Sequence, residues 1–387
     1  MTSEPLFPPL KAPTAEALNR LCAAIERVFP VPDHFVRAIP ADIALLSRLL
    51  TSERSQRRDG YLTNPRFLSA YTRYFLPWNV FRLTRLFSSS AVSSELHAVL
   101  HEGATIIDLG SGPLSLPLAL WTAFPELQNY AFTLYAVDAA RKALAAGKRL
   151  FANTAGTDTP WHIITRQGRF GALCDIPPAD LVTAVYMINE VTAAIPQADT
   201  AALSARAHQF AVQLIRLCAR EGAILVVEPG IPRSAQFISM LKSAFEMQGF
   251  YAALPCPPES TCCMRGGKRG AKWCHFSFGT EDAPPALHEV SWRAHLPKEK
   301  AVLSFLLVRR TAARRHTSGH AIRVISDPFP LHGGCIGRYA CSQAGMILLR
   351  GADALVQLGS GTQILCDEHR FAGKDPKSGA LIMDFPA

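Results

Sequence analysis

Cys256, Cys262, Cys263 and Cys274 fall in one stretch, LPCPPESTCCMRGGKRGAKWCHFSF, and Cys341 follows in GGCIGRYACSQAG. Thiolates bind soft metals, and four of them suit either a zinc ion or an iron–sulfur cube. Structural zinc sites usually present paired ligands two to four residues apart. Here the intervals are wider and Cys341 is remote. That pattern suits a larger cluster reached from several loops, with zinc, using His275 in a Cys3His site, as the alternative. His275 is expected to support or pack beside the site, because neighbours on an extended segment point to opposite sides. Cys22, Cys174 and Cys218 sit in apolar or amphipathic surroundings and read as inert core thiols. Cys335 and Cys366 take no role. The loop MRGGKRGAKW adds Arg265, Lys268, Arg269 and Lys272, and Arg309, Arg310, Arg314 and Arg315 follow. Together they read as a clamp for RNA phosphates, against a plain solvated loop.

A second group of residues points to a nucleotide. IIDLGSGP reads as a strand ending in Asp108, followed by Gly110 and Gly112, which lack a Cβ and admit close approach of a ligand. FTLYAVD ends in Asp138, placed to accept hydrogen bonds from a ribose diol. Asn189 and Glu190 end the fourth strand and face the same crevice. A nicotinamide fingerprint would need glycine where Ser115 stands, and Asp138 lies beyond the usual spacing of its acidic residue. S-adenosylmethionine (SAM) fits better than NAD. No Asn-Pro-Pro-Tyr sequence and no cysteine follow the fourth strand, so no methyl acceptor is indicated. Glu190 is read as an N-cap or ligand contact rather than a base.

The elements that position these residues follow from periodicity. Residues 1–100 read as helical, with apolar spacing of i, i+3, i+4 in NRLCAAIERVF and ADIALLSRLLTSE. A further helix starts near Asn64 with Pro65 at its first position. In it Arg66, Arg73, Arg82 and Arg85 alternate with Tyr71, Tyr74 and Trp78. One reading is an amphipathic helix capping the next domain; the other is an RNA-facing surface of stacking rings and cations. From 101 to 310 strands and helices alternate: TIIDLG, FTLYAVD, WHIITRQ, DLVTAVYMI, GAILVVEPG and AVLSFLLVRR are the strands. This predicts an α/β, doubly wound, mostly parallel Rossmann-like sheet with ligands at the carboxyl ends of its strands. The Cys-rich segment 255–276 is an insertion. Residues 311–387, with IRVIS, GMILLRG and DALVQLG, read as a small β-rich region completing the metal site.

The composition agrees. The chain has 387 residues, 49% of them hydrophobic, enough for one large domain with smaller additions. No apolar run reaches membrane-span length, and the start MTSEPLFPPLKAP lacks an export signal pattern, so neither membrane insertion nor secretion is expected. A net charge of +9 fits a nucleic-acid partner. Ten cysteines in a non-secreted chain favour metal binding over disulfides.

The order of these pieces resembles the methyltransferase-like proteins of the mitochondrial small ribosomal subunit and their bacterial relatives. The resemblance rests on Asp108-Leu-Gly-Ser-Gly-Pro113, Asn189-Glu190-Val191, Val227-Glu-Pro-Gly-Ile-Pro232, Pro255-Cys-Pro257 with Cys262, Trp273-Cys-His-Phe276, and Gly334 through Cys341. It implies a SAM-methyltransferase fold and a [4Fe–4S] cluster on Cys256, Cys262, Cys274 and Cys341, the family spacing favouring Cys262, with its neighbour Cys263 as the alternative ligand. It also implies a role in assembling the small ribosomal subunit on 16S-type rRNA, with a working rRNA methyltransferase as the alternative. The expected setting is a bacterial-type cytoplasm or the mitochondrial matrix, and the expected free state a monomer. The family's glycine loop reads Gly-x-Gly-Pro-Gly, whereas Leu114 follows Pro113 here. Leu114 is therefore expected to place a bulky side chain where a ligand needs close approach.

Overall fold

The computed structural model describes residues 2–53, 60–168, 175–192, 194–196, 198–256, 262–264, 273–310, 320–366 and 371–385. The central sheet is built from β1 (Thr105–Leu109), β2 (Phe132–Asp138), β3 (Trp161–Gln167), β4 (Ala179–Val185), β5 (Cys218–Glu228), β6 (Tyr251–Leu254) and β7 (Lys300–Arg309). Its order is β3-β2-β1-β4-β5-β7-β6. The first five strands are parallel, while β7 inserts antiparallel between β5 and β6. A short strand, Phe276–Gly279, pairs with the start of β7. Such near-continuous apolar strands need cover on both faces.

Alternate side chains divide the core in two. Ile106, Leu134 and Leu225 join the face covered by α1 (Ala12–Val28), α2 (Leu76–Phe87), α3 (Ser115–Ala123) and α4 (Arg141–Ala155). Ile107, Val182 and Ile224 join the other, under α5 (Thr200–Leu217) and α6 (Pro232–Glu246). Aromatic rings anchor each layer: Trp78, Phe81 and Phe87 on one side, Phe210, Phe237 and Phe245 on the other, all fully buried. Among the described residues no helix is long and apolar enough to cross a membrane.

The helix expected near Asn64 begins there. Asn64 caps it by accepting the Arg66 amide at 3.0 Å, with Pro65 at the first helical position. Helix Pro65–Ala70 passes through a π turn, Tyr71–Phe75, into α2. The RNA-facing reading fails for five of its residues: Tyr74 and Trp78 are buried, and Arg66, Arg73 and Arg85 pair with Asp42, Glu26 and Asp282. Through these residues the segment caps the sheet, while Arg82 has no such pair among the described residues.

A second sheet follows: β8 (His320–Val324), β9 (Ile336–Ser342), β10 (Gly345–Gly351), β11 (Gln363–Cys366), β12 (Phe371–Lys374) and β13 (Leu381–Asp384). Two expectations change. The N-terminal region is not wholly helical, because Thr2–Glu4 forms the edge strand beside β11. DALVQLG is not a strand: Ala354–Gln357 is one helical turn whose Leu355 fills the small core.

Candidate functional site

The crevice at the carboxyl ends of β1, β2 and β4 is built by the sequence Leu109 to Ser115. Gly110 and Gly112 have φ of +68° and +51°, a region that favours glycine. Gly110 is constrained further, since a Cβ there would lie 2.8 Å from Met187 Cβ. Gly112 faces open space. The cavity encloses ≈ 80 Å³, with Asp108, Gly110, Gly112 and Asp138 among its walls. That is smaller than a typical small-molecule site of about 300–1,000 Å³. Tyr61 and Leu62, in a single turn before Asn64, also line it.

The two aspartates differ in what they do. Asp108 is buried, and its carboxylate accepts from the hydroxyls of Ser111 and Thr183, the latter at 2.7 Å. Burial pushes it up to about 7 despite those bonds, with the nearby Asp138 adding to the rise. It fastens β1 to β4 and to the glycine turn. Asp138 accepts the Gly112 amide at 2.9 Å and the Ala140 amide at 2.7 Å, one on each oxygen. It too is raised, by burial first, while these two bonds pull it back. A carboxylate has about four acceptor positions, so Asp138 keeps capacity for a diol.

Leu114 does not crowd the ligand. Its φ of 64° turns the side chain away from the crevice and into the core, where it is fully buried. There the Pro113-Leu114 turn presses on α4 at Gly147, whose Cβ, if present, would meet Pro113 C at 2.5 Å and Leu114 Cγ at 2.6 Å. The left-handed backbone costs about 1–2 kcal/mol, offset by burial of the side chain. Asn189 and Glu190 are also displaced from the expected place. β4 ends at Val185, and both residues lie in the helical turn Ile188–Val191. From this strand end the crevice is lined by Val185, Tyr186 and Met187. Tyr186 has φ of 58°, and burial pushes its hydroxyl up to about 12. Asn79 and Tyr71, joined by a 3.3 Å hydrogen bond, line the crevice from the capping segment. The arginine–aromatic pattern marks Tyr71 in the sequence, and nothing marks Asn79.

The cysteines converge from separate segments. Cys256 follows β6, Cys262 and Cys263 lie in the described piece 262–264, Cys274 precedes strand Phe276–Gly279, and Cys341 is on β9. Cys262, Cys274 and Cys341 pack against the same apolar core, whereas Cys263 is exposed. Burial pushes Cys256 up to about 12 and raises Cys274 and Cys341 well above the usual thiol range. Beyond burial, each of these is raised by one or more of the other cysteines. The Arg323 guanidinium, buried on β8, draws Cys256 and Cys341 back down. Its Nε donates to Pro255 O at 2.9 Å, holding the second sheet against the cysteine segment. Among the described residues no three His, Cys, Asp or Glu side chains close on a single ion. His275 turns back on its neighbour, with Nδ1 3.1 Å from Trp273 O and its ring stacked on that indole. Cys22 and Cys218 are pushed up to about 12 by burial. Cys174 lies outside the described residues, as do Arg265, Lys268, Arg269, Lys272, Arg314 and Arg315. Arg309 pairs with Glu95, and Arg310 covers the Phe250 ring.

Parallel strands in the order 3-2-1-4-5, an antiparallel seventh strand inside the sixth, and the glycine turn held to Asp138 define a class I SAM-methyltransferase fold. Residues 70–347 match the family described as mitochondrial small ribosomal subunit Rsm22, and the chain belongs to that family. No curated protein matches it. Similar solved structures include a putative methyltransferase from Thermoplasma acidophilum (11% identity, 55% of this chain and 70% of that one, TM-score 0.32). Others are magnesium protoporphyrin IX methyltransferase from Synechocystis with bound SAH (10%, 70% and 100%, TM-score 0.35) and a putative class I SAM-dependent methyltransferase from Listeria monocytogenes (11%, 78% and 88%, TM-score 0.35).

Proposed function

We propose that this chain is an assembly factor for the small ribosomal subunit that binds its rRNA through a class I methyltransferase scaffold. The observation that supports this reading is the family match over residues 70–347. Two features of the molecule accord with it. The crevice floor is acidic, with Asp108 and Asp138 side by side, and it suits a ligand carrying sulfonium and ammonium charges. Gly110, Gly112 and Asp138 would hold SAM there.

The thiol group fits a metal cluster by its chemistry. Cys256, Cys262, Cys274 and Cys341 would hold a [4Fe–4S] cluster, which needs soft anionic ligands wider apart than a single zinc does. Arg323 supplies a buried positive charge where thiolates would accumulate negative charge. The cluster would tie the β6 segment, the Trp273-Cys274 segment and β9 together.

A SAM titration with and without small-subunit precursor tests the reading. The scaffold account expects affinity for the precursor without SAM and no methyl incorporation into rRNA. Stoichiometric methylation of the precursor would replace it with a working rRNA methyltransferase.

A further inference from the structure

Four arginines project from the capping segment, and three meet carboxylates: Arg66 with Asp42, Arg73 with Glu26, Arg85 with Asp282. Arg82 is the exception. Among the described residues it has no carboxylate partner; its Nη1 donates to Asn79 Oδ1 at 3.0 Å, and its Nε is buried with no hydrogen-bond acceptor. A second cation lies over the same helix face, since Trp78 precedes Arg82 by one turn. Lys298, just before β7, sits 5.6 Å from the Tyr74 ring centre and 5.9 Å from that of Trp78. It too has no carboxylate partner among the described residues, and burial together with Arg82 pushes it down to about 8. Two half-buried cations with no ion-pair partner among the described residues are costly unless a ligand supplies an anion.

Their position adjoins the crevice. Asn79, bonded to Arg82, lines its wall, and so does Tyr186, whose buried hydroxyl faces the Arg82 guanidinium. Glu228 also acts on Tyr186, and it accepts the Ile188 amide at 2.7 Å. The strained Tyr186 thus stands between the donor crevice and the cation pair, the kind of backbone outlier that gathers at functional sites.

We infer that Arg82 and Lys298 form an oxyanion site that takes a phosphodiester of single-stranded RNA at the β4 end of the crevice. The inference rests on the RNA-binding reading above and names where that RNA enters. The competing anion, the carboxylate of SAM, is poorly matched. SAM brings an ammonium and a sulfonium with its one carboxylate, and two uncompensated cations repel that excess. A phosphodiester brings no positive charge. Arginine and lysine are the usual phosphate partners, and such contacts are sequence-independent.

The test uses the full chain and a short oligouridylate, with affinity followed over a salt series. Each phosphate contact on a single strand contributes about 0.7 to the slope of log affinity against log salt. Arg82→Met and Lys298→Met should each lower the slope by about that amount, while Arg82→Lys and Lys298→Arg restore it. Lys298→Met, at a half-buried side chain, decides the matter if Arg82→Met does not fold. The inference is overturned if both Met variants keep the wild-type slope, or if wild-type protein does not bind the oligonucleotide. It is also overturned if the variants lose SAM affinity while RNA slopes persist, which would give the pair to the donor. Co-sedimentation with small subunits reads the assembly role separately, so the two failures are distinguishable.

Discussion

The nucleotide crevice and the cysteine group are assembled in opposite ways. The crevice is gathered at neighbouring strand ends of one sheet, and its parts are fixed by bonds already formed: Asp138 to Gly112, Asp108 to Ser111 and Thr183. The cysteine group draws on four segments of chain, three of them beside residues outside the described set, and burial together with the neighbouring cysteines raises the thiols of Cys274 and Cys341. The first is preorganised by the sheet. On the proposed reading, a bound cluster would complete the second. Perturbing each should therefore leave different marks.

The largest effect belongs to the cysteines. Cys274→Ser or Cys341→Ser should bring iron and sulfide to background and loosen the second sheet, because ligation free energy is folding free energy. Cys263→Ser should keep its metal. Metal analysis of anaerobically purified protein reads all three, and a zinc-only protein without sulfide would break the contrast.

In the crevice the largest effect is steric. Gly147→Ala puts a methyl group against the Pro113 carbonyl and should cost about 3 kcal/mol, read as a lower denaturant midpoint at unchanged m-value. Leu114→Gly should lose stability through burial and leave SAM affinity in place, since that side chain faces the core.

A pH effect follows. Asp108 titrates near 7 in the folded chain and near 3.9 when unfolded. Between those values the native state holds the extra proton, so stability is fullest at low pH and falls as pH rises through 7. From pH 5 to 8 the loss should be about 2.6 kcal/mol, and Asp108→Asn should flatten it. A wild-type unfolding free energy that rises over this range would contradict the assignment.

The smallest is Asp138→Ala, which should weaken SAM more than tenfold, about 1.4 kcal/mol, by removing both the diol acceptor and the anchor of Gly112. Calorimetric titration measures it.

Much of the sheet is legible in the sequence because β-strands here are continuous apolar runs between turn residues: FTLYAVD and WHIITRQ coincide with β2 and β3. The glycine turn is legible for the same local reason. What is not legible depends on direction and distance. Composition shows that Leu114 is bulky but not that a positive φ turns it inward. The arginine-rich helix gives no sign that Glu26, Asp42 and Asp282 reach three of its four cations. The place of Arg323 among the thiols depends on a strand about 70 residues from Cys256, paired through a second sheet. Asn189 and Glu190 were expected one element early, because the strand pattern DLVTAVYMI continues past the point where Tyr186 breaks it.

Sedimentation of the protein with small ribosomal subunits and their precursors, across a salt series, tests the central claim most directly. The account predicts co-sedimentation at low salt, with log affinity falling linearly against log salt as phosphate contacts release counterions. Absence of binding to either particle, or binding confined to duplex DNA or a small metabolite, would contradict it.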